Sequence, residues 1–266
     1  MKMWIVDAFT DSPYSGNPAA VTIVDKFPGN EICQKIAAEM NLSETCFIKH
    51  LEEDTFHLRW FTPTAEVKLC GHGTLASAHI LYQEKLVKDK EITFKTLSGM
   101  LKVQYSSSTY TLDLPLSAGE AAVDPLAIAK CNFGNVITAL QIDDDVLVEL
   151  STEEEVRNYV PRPSDIVQIV CRLVIITSKG TGQYDFISRC FAPRIGVLED
   201  PVTGSAHCKL ALYWQRKLNK SVFTAYQASK RGGEIGITVV GDRVYQTGKA
   251  VTVMTGEWHG PLSTGK

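Results

Sequence analysis

Apolar and polar residues alternate along most of the chain, which predicts strands over most of its length. Met3 to Phe9 and Ala19 to Val24 read as strands on either side of a turn-rich run, Asp11-Ser12-Pro13-Tyr14-Ser15-Gly16-Asn17-Pro18. Ile32, Ile36, Ala37 and Met40 recur at helical spacing after Pro28-Gly29-Asn30, predicting a helix capped by Asn30 and ended by Asn41. Cys46-Phe47-Ile48, Phe56 to Phe61, Ile92 to Thr96, Met100 to Tyr105 and Tyr110 to Leu114 continue the strand pattern. Two stretches break it. Thr74 to Glu84 is a helix apolar nearly all round, of the kind wrapped by other structure, and Ser205 to Lys217 is a second central helix, with Leu210, Ala211, Leu212 and Trp214 apolar.

Each of these helices follows the same local plan: a strand, a Pro bend, a reactive residue, then a Gly with a hydroxyl residue. A shift of 130 positions lays Arg59, Phe61, Pro63, Val67 and Ala76 on Arg189, Phe191, Pro193, Val197 and Ala206. At this offset Cys70 falls on Asp200, and a slip of one residue lays Gly73-Thr74 on Gly204-Ser205. The offset is close to half the chain of 266 residues, as expected of two duplicated domains. The expected boundaries are 1–115 and 116–266, with Pro115 to Pro125 (including Ser117, Ala118, Gly119 and Glu120) as linker. The final strand, near 250–260, is free to return to the first domain. Between the two lie short helices at Leu126 to Cys131 and Thr152 to Tyr159. Strands are expected at Val136 to Leu140, Val146 to Leu150, Cys171 to Thr177 and Phe186 to Phe191, and the tail is again strands.

Composition narrows the class. A net charge of −3 without basic clusters argues against nucleic acid as partner. No apolar run reaches membrane-spanning length, and the acid at Asp7 interrupts what a signal peptide would keep apolar, so a cytoplasmic protein is expected. Seven cysteines, scattered and without a Cys-x-x-Cys, fit reduced and mostly buried thiols.

Candidate chemistry gathers at the two helix starts. Gly71-His72-Gly73-Thr74-Leu75-Ala76 has dinucleotide-loop spacing, but no parallel βαβ unit surrounds it. Thr203-Gly204-Ser205-Ala206-His207 departs from the spacing of a hydrolase nucleophile, so Ser205 reads as a helix-start hydroxyl that caps or binds an anion. His72, His79, His207, Cys70 and Cys208 do not have the spacing of a recognised zinc site, and no metal is expected. His79 and His207 fall within helices, whereas His72 lies between two glycines in a loop, free to face a ligand. Glu44 sits at a helix-to-strand corner, where burial would raise a carboxyl toward the range of reversible proton transfer. Bare amides at two helix N-termini would stabilise the carbanion or enolate formed when a proton leaves carbon.

Five blocks carry a family resemblance: Ser15-Gly16-Asn17-Pro18-Ala19-Ala20-Val21, Asn41-Leu42-Ser43-Glu44-Thr45, Arg59-Trp60-Phe61-Thr62-Pro63, Cys70-Gly71-His72-Gly73-Thr74-Leu75-Ala76 and Asp200-Pro201-Val202-Thr203-Gly204-Ser205-Ala206-His207. Together with Arg231-Gly232-Gly233-Glu234, they resemble the signatures of the phenazine-biosynthesis-like (PhzF) family. The resemblance implies the diaminopimelate epimerase-like fold, an α+β arrangement of two pseudo-symmetric domains, each a mostly antiparallel strand layer wrapped around a central helix. It also implies a cofactor-independent isomerase. The family's proton-shuttling glutamate matches Glu44, its supporting aspartate and histidine match Asp200 and His72, and its substrate-binding backbone positions match Gly71, Gly204 and Ser205. The epimerases of this fold oppose two cysteines; here Cys70 matches the first and Asp200 stands at the second. The phenazine enzymes themselves tend to have Ala in place of this Cys and Pro after the His, which sets this chain among the wider relatives.

The sequence therefore predicts an isomerase that moves a proton between carbons of a small carboxylate-bearing metabolite in an interdomain cleft. Glu44, Asp200 and His72 are the expected catalytic residues, and Cys70, Gly71, Gly73, Gly204 and Ser205 the expected substrate-binding ones. Two alternatives stand beside this reading. One is a racemase or epimerase using Cys70 and Asp200, and the other a non-catalytic binding or interaction protein. Exposed strand edges leave a homodimer open.

Overall fold

A computed structural model describes residues 1–117 and 119–262. Ala118, inside the expected linker, and residues 263–266 lie outside the described residues. The chain divides into two compact units: Met1–Asp113 with the chain from Thr247, and Leu114–Gln246.

In chain order, the first unit begins with β1 (Lys2–Ala8), β2 (Asn17–Ile23), α1 (Asn30–Met40), β3 (Glu44–Glu52), β4 (Thr55–Phe61) and β5 (Glu66–Val67). α2 (Gly71–Gln83), β6 (Glu91–Thr96), β7 (Gly99–Ser106) and β8 (Thr109–Pro115) follow. The second unit holds β9 (Glu120–Ala122), α3 (Pro125–Lys130), β10 (Val136–Ile142), β11 (Asp145–Leu150), α4 (Glu153–Asn158) and α5 (Pro163–Ile166). It continues through β12 (Leu173–Lys179), β13 (Phe186–Ala192), β14 (Val197–Asp200), α6 (Gly204–Leu218), β15 (Val222–Gln227), β16 (Gly233–Val240) and β17 (Arg243–Gly248). β18 (Ala250–Glu257) belongs to the first unit, where it pairs antiparallel with β1. The result is a sheet-dominated α+β protein.

The units share one pairing scheme. In the first, β1–β2 is antiparallel, β2–β3 parallel, β3–β4 and β4–β5 antiparallel, β4–β6 parallel and β6–β7 antiparallel. In the second, β10–β11, β11–β12, β12–β13, β13–β14, β13–β15 and β15–β16 repeat that sequence of directions. Side chains repeat as well. Arg59 on β4 grips Glu66 on β5 through two N–H···O bonds of 2.7 and 2.8 Å, and its guanidinium lies over the Phe61 ring. Arg189 on β13 grips Glu199 on β14 at 2.7 and 3.0 Å and lies over Phe191. Planar, two-point pairing of this kind fixes geometry as well as charge. It ties each strand to the loop that leads into the central helix.

α2 meets the expectation for an apolar helix. Leu75, Ala76, Ala78, Ile80 and Leu81 are fully buried, with strands of its own unit around them. α1 lays Ile32, Cys33, Ile36 and Ala37 on Met3, Ala20, Phe47 and Phe61. Three local expectations need correction. Asn30 is the first residue of α1 rather than its cap; Gly29 caps it, and Asn30 Oδ1 accepts a bond from Arg59 instead. α2 starts at Gly71 rather than Thr74, because Cys70 takes the cap position. The expected linker contains a strand, β9, paired with β10. Among the described residues, no helix is long and apolar enough to cross a membrane.

α6 buries His207 completely. Its Nδ1–H donates to the Thr203 carbonyl at 2.8 Å, and Nε2 lies 3.4 Å from Ser188 Oγ. Burial pushes this imidazole down to about 4. The folded chain therefore holds it neutral where the unfolded chain would protonate it. His207 favours folding fully above about 6.5 and loses that contribution as pH falls toward about 4, a window worth on the order of 3 kcal/mol. His79 is lowered in the same direction, so the test compares variants. Thermal unfolding followed from pH 7 to pH 4 should show a steeper loss of stability in wild type than in His207→Gln. Equal slopes would remove His207 from this role.

Candidate active site

Two close approaches build the first half of the site. Gly16, at φ +65°, turns the chain where a Cβ would lie 2.2 Å from the Ala8 carbonyl oxygen, and so delivers Asn17 buried at the start of β2. Gly73 lies in the first turn of α2, where a Cβ would come within 2.9 Å of Cys46 Sγ, Cys70 Sγ and Trp60 Cδ1. Only a residue without a side chain lets the helix start sit this near β3 and β4. β3 begins at Glu44, in parallel register with Ala19 on β2.

These contacts bring three of the expected residues together. His72 Nε2 lies 2.8 Å from Glu44 Oε2, and Cys70 Sγ lies 3.6 Å from His72 Nδ1. Asn17 Nδ2 is 3.2 Å from His72 Nδ1. With Asn17 Nδ2 as donor, Nδ1 accepts and the ring proton is assigned to Nε2, the nitrogen nearest Glu44. Glu44 Oε2 is buried, and the approach of Nε2 falls short of hydrogen-bond alignment, which leaves that oxygen unsaturated. The Glu44 side chain remains 16 % exposed and that of His72 6 %. The array thus combines a largely shielded carboxylate with an imidazole held beside it.

Cys70 and Gly73 also build the start of α2. Cys70 Sγ accepts the Gly73 N–H at 3.3 Å and serves as the N-cap of α2, while Thr74 Oγ1 donates to the Cys70 carbonyl at 2.6 Å. The Gly73 amide is thereby committed to the cap, and His72 belongs to the helix's first turn rather than to a free loop. Gly71 is the first residue of that helix.

The donor atoms of Glu44, Cys70 and His72 lie within 4.8 Å of one another, the one cluster of three metal-capable side chains among the described residues. Both ring nitrogens of His72 and the Cys70 sulfur already have partners within the protein, which fits a hydrogen-bonded array better than a ligand set. His79, His207 and Cys208 do not join it. His79 bonds Tyr110 and Thr252, His207 bonds Thr203 and Ser188, and Cys208 bonds Gln246.

In the second unit, Asp200 ends β14 and accepts the Thr203 hydroxyl on Oδ2 at 2.6 Å. Gly204 and Ser205 open α6, and Arg172 Nη2 donates to Ser205 Oγ at 3.4 Å. The first helical residues are Gly71 and Gly204, so the offset between the halves has grown by three from the 130 that aligns Arg59 with Arg189. The N-cap counterpart of Cys70 is therefore Thr203, and Asp200 stands further back, on the strand. Asn17, Thr203 and Gln227 were not among the expected site residues. Asn17 and Thr203 lie inside signature blocks. Gln227 had a signal of another kind: it shares the inward phase of Phe223 and Ala225, a polar residue at a core position.

The likeness to known proteins covers nearly the whole chain. A model for phenazine biosynthesis-like proteins (PhzC-PhzF) matches residues 6–256. An uncharacterized isomerase of Halalkalibacterium halodurans is 44 % identical over 96 % of this chain and 97 % of its own. The solved structure of a PhzF-family phenazine biosynthesis protein from Enterococcus faecalis superposes with a TM-score of 0.91 at 37 % identity, over 97 % of this chain and 98 % of that one. A hydroxyproline epimerase from Agrobacterium vitis, solved with trans-4-hydroxy-L-proline bound, shares the fold alone, at 13 % identity and a TM-score of 0.59 over 96 % and 91 % of the two chains. The chain belongs to the phenazine biosynthesis-like (PhzC-PhzF) family and is an enzyme of the isomerase class.

Proposed function

We propose that the protein moves a proton between carbons of a small carboxylate-bearing metabolite, with Glu44 carrying the proton and no cofactor taking part. The supporting observation is the shielded Glu44 carboxylate oxygen 2.8 Å from the protonated nitrogen of His72, with Asn17 fixing that tautomer. As carboxylate, Glu44 takes a proton from a C–H acidified by a neighbouring conjugated system or carboxylate. As neutral acid, it delivers a proton to a second carbon after exchange of the carboxyl proton with solvent, so no proton or electron is gained or lost overall. His72 positions the Glu44 carboxylate and, in this reading, Asp200 supports the reaction as an anionic group. The amides at Gly71, Gly204 and Ser205 are assigned to anionic groups of the substrate, where helix N-termini favour negative charge. Gly73 is omitted from that role, since its amide caps on sulfur.

One observation favours a second reading. Cys70 Sγ sits at the N-terminus of α2, 3.6 Å from His72 Nδ1, a placement that suits a base in a racemase or epimerase working with Asp200. The non-catalytic alternative is not favoured, given the isomerase relatives.

Deuterium wash-in from heavy water, read by mass spectrometry, tests the first reading. Dihydro-hydroxyanthranilate, diaminopimelate and trans-4-hydroxy-L-proline are the probes. Incorporation should be lost or fall by about 10²–10⁴-fold in Glu44→Gln, with fold and thermal stability retained; undiminished incorporation would remove Glu44 from the role. Thiol alkylation separates the second reading. Under the Glu44 mechanism, Cys70→Ser should keep turnover within about tenfold of wild type, the scale of a cap rather than of an acid/base group. Inactivation by alkylation that Cys70→Ser prevents, with activity lost in that variant, would favour the two-base reading instead.

A further inference from the structure

The base of the second half-site holds a set of hydrogen bonds whose proton positions can be assigned. Gln227 is fully buried at the end of β15. Its Oε1 accepts the Thr203 backbone N–H at 2.8 Å, and its Nε2 donates to the Asp200 backbone carbonyl at 2.6 Å. Each of those backbone partners can act in one sense only, so together they fix which end of the carboxamide is nitrogen. Nε2 also lies 3.2 Å from Thr203 Oγ1. The Thr203 oxygen must therefore accept from Gln227. Its single hydrogen then goes to its other close partner, Asp200 Oδ2, at 2.6 Å. The Asp200 oxygen at the end of this relay is an acceptor and carries no proton.

A second observation sets the relay apart from ordinary helix capping. Thr203 occupies the N-cap of α6, where a threonine hydroxyl normally accepts an amide from the first turn. Here it makes no such bond. The hydroxyl is directed back to Asp200 and the first-turn amides are left without a side-chain cap.

We propose that Gln227 and Thr203 are positioning residues that hold Asp200 as an ionised carboxylate, so that Asp200 meets the substrate as a hydrogen-bond acceptor and not as an acid. The proposal rests on the functional reading above only in assigning Asp200 to the reaction. It specifies the substrate: the group that faces Asp200 is a donor, an amine, ammonium or hydroxyl. Other titratable groups face the relay. Cys190, paired with Asp200 across β13 and β14, is fully buried and pushed well above the ordinary thiol range by that burial, so it keeps its proton and does not compete as acceptor. His207, one turn along α6, stays neutral, and Glu199 beside Asp200 is paired with Arg189.

The test needs no substrate, so its failure is distinct from a failure of deuterium wash-in. Protein labelled with ¹³C at the aspartate carboxyls is titrated by NMR, with the Asp200 signal assigned by its absence in Asp200→Asn. Thr203→Val keeps the side-chain shape and suits the extended backbone at this position, φ −114° and ψ 98°. Removing the hydroxyl should raise the proton affinity of Asp200 by roughly tenfold, since a donor to a carboxylate favours its charged form. Thr203→Ser should restore the wild-type titration. If Thr203→Val does not fold, Thr203→Ala is read in the same way. An Asp200 titration unchanged on loss of the hydroxyl, or displaced equally in Thr203→Ser, would overturn the proposal.

Discussion

The first half-site depends on a contact in which one partner has no side chain. At Gly73 the start of α2 meets the sulfurs of Cys46 and Cys70 and the indole of Trp60, at distances that leave no room for a methyl group. Interiors packed to this density do not yield cheaply, and forcing an extra carbon into them costs about 1–3 kcal/mol. The consequence for chemistry is positional. With the helix start pressed onto β3 and β4, His72 in its first turn is brought to the residue that opens β3, Glu44. Backing the helix away by a bond length would leave every residue of the array in place in the sequence and pull His72 away from Glu44 and Asn17.

Duplication explains how such a site could be elaborated twice. The two units repeat the same order of parallel and antiparallel pairings, and each clamps the strand before its central helix with an Arg–Glu pair under which an aromatic ring lies. That scaffold holds the loop ends. It leaves the residues between clamp and helix free to differ, and they do differ. One loop ends in a sulfur that caps the helix directly; the other is longer, leaves its helix without a side-chain cap, and carries a carboxylate on the strand behind it.

Much of the architecture was legible in the sequence because strands and central helices announce themselves by period. The all-apolar character of α2 foretold its burial, and the repeat of Arg59 and Phe61 at Arg189 and Phe191 marked true structural equivalents. What failed did so for identifiable reasons. The sequence puts the start of α2 three residues late because sulfur is not among the usual capping atoms, so Cys70 carries no N-cap signal. Asn30 has the residue type of a cap, but its oxygen accepts from Arg59 instead. Of the candidate site, Glu44, His72 and Cys70 could be named from sequence, but not the fact that Gly73's amide was already taken. Gln227 was missed because a buried glutamine declares itself through its phase on a strand, and phase identifies burial without saying what the amide holds.

The two half-sites differ in fold position and residue type but converge on one electrostatic device. In each, a buried carboxamide touches the group that stands next to a carboxylate, and in the second two backbone groups fix the carboxamide's orientation. Asn17 acts through His72 near Glu44; Gln227 acts through Thr203 on Asp200. A carboxamide suits this task because it does not titrate, so the direction it imposes is the same at every pH at which the protein folds. An imidazole or hydroxyl left to itself would reorient as a substrate's charge developed, and that reorientation would add to the barrier. Holding the dipoles fixed before the reaction removes that cost, which is the largest contribution that preorganised polar groups make to catalysis. The chain therefore places its uncharged amides deepest, its proton-bearing groups above them and its carboxylates outermost, an order that follows from which of these groups can be buried without changing state.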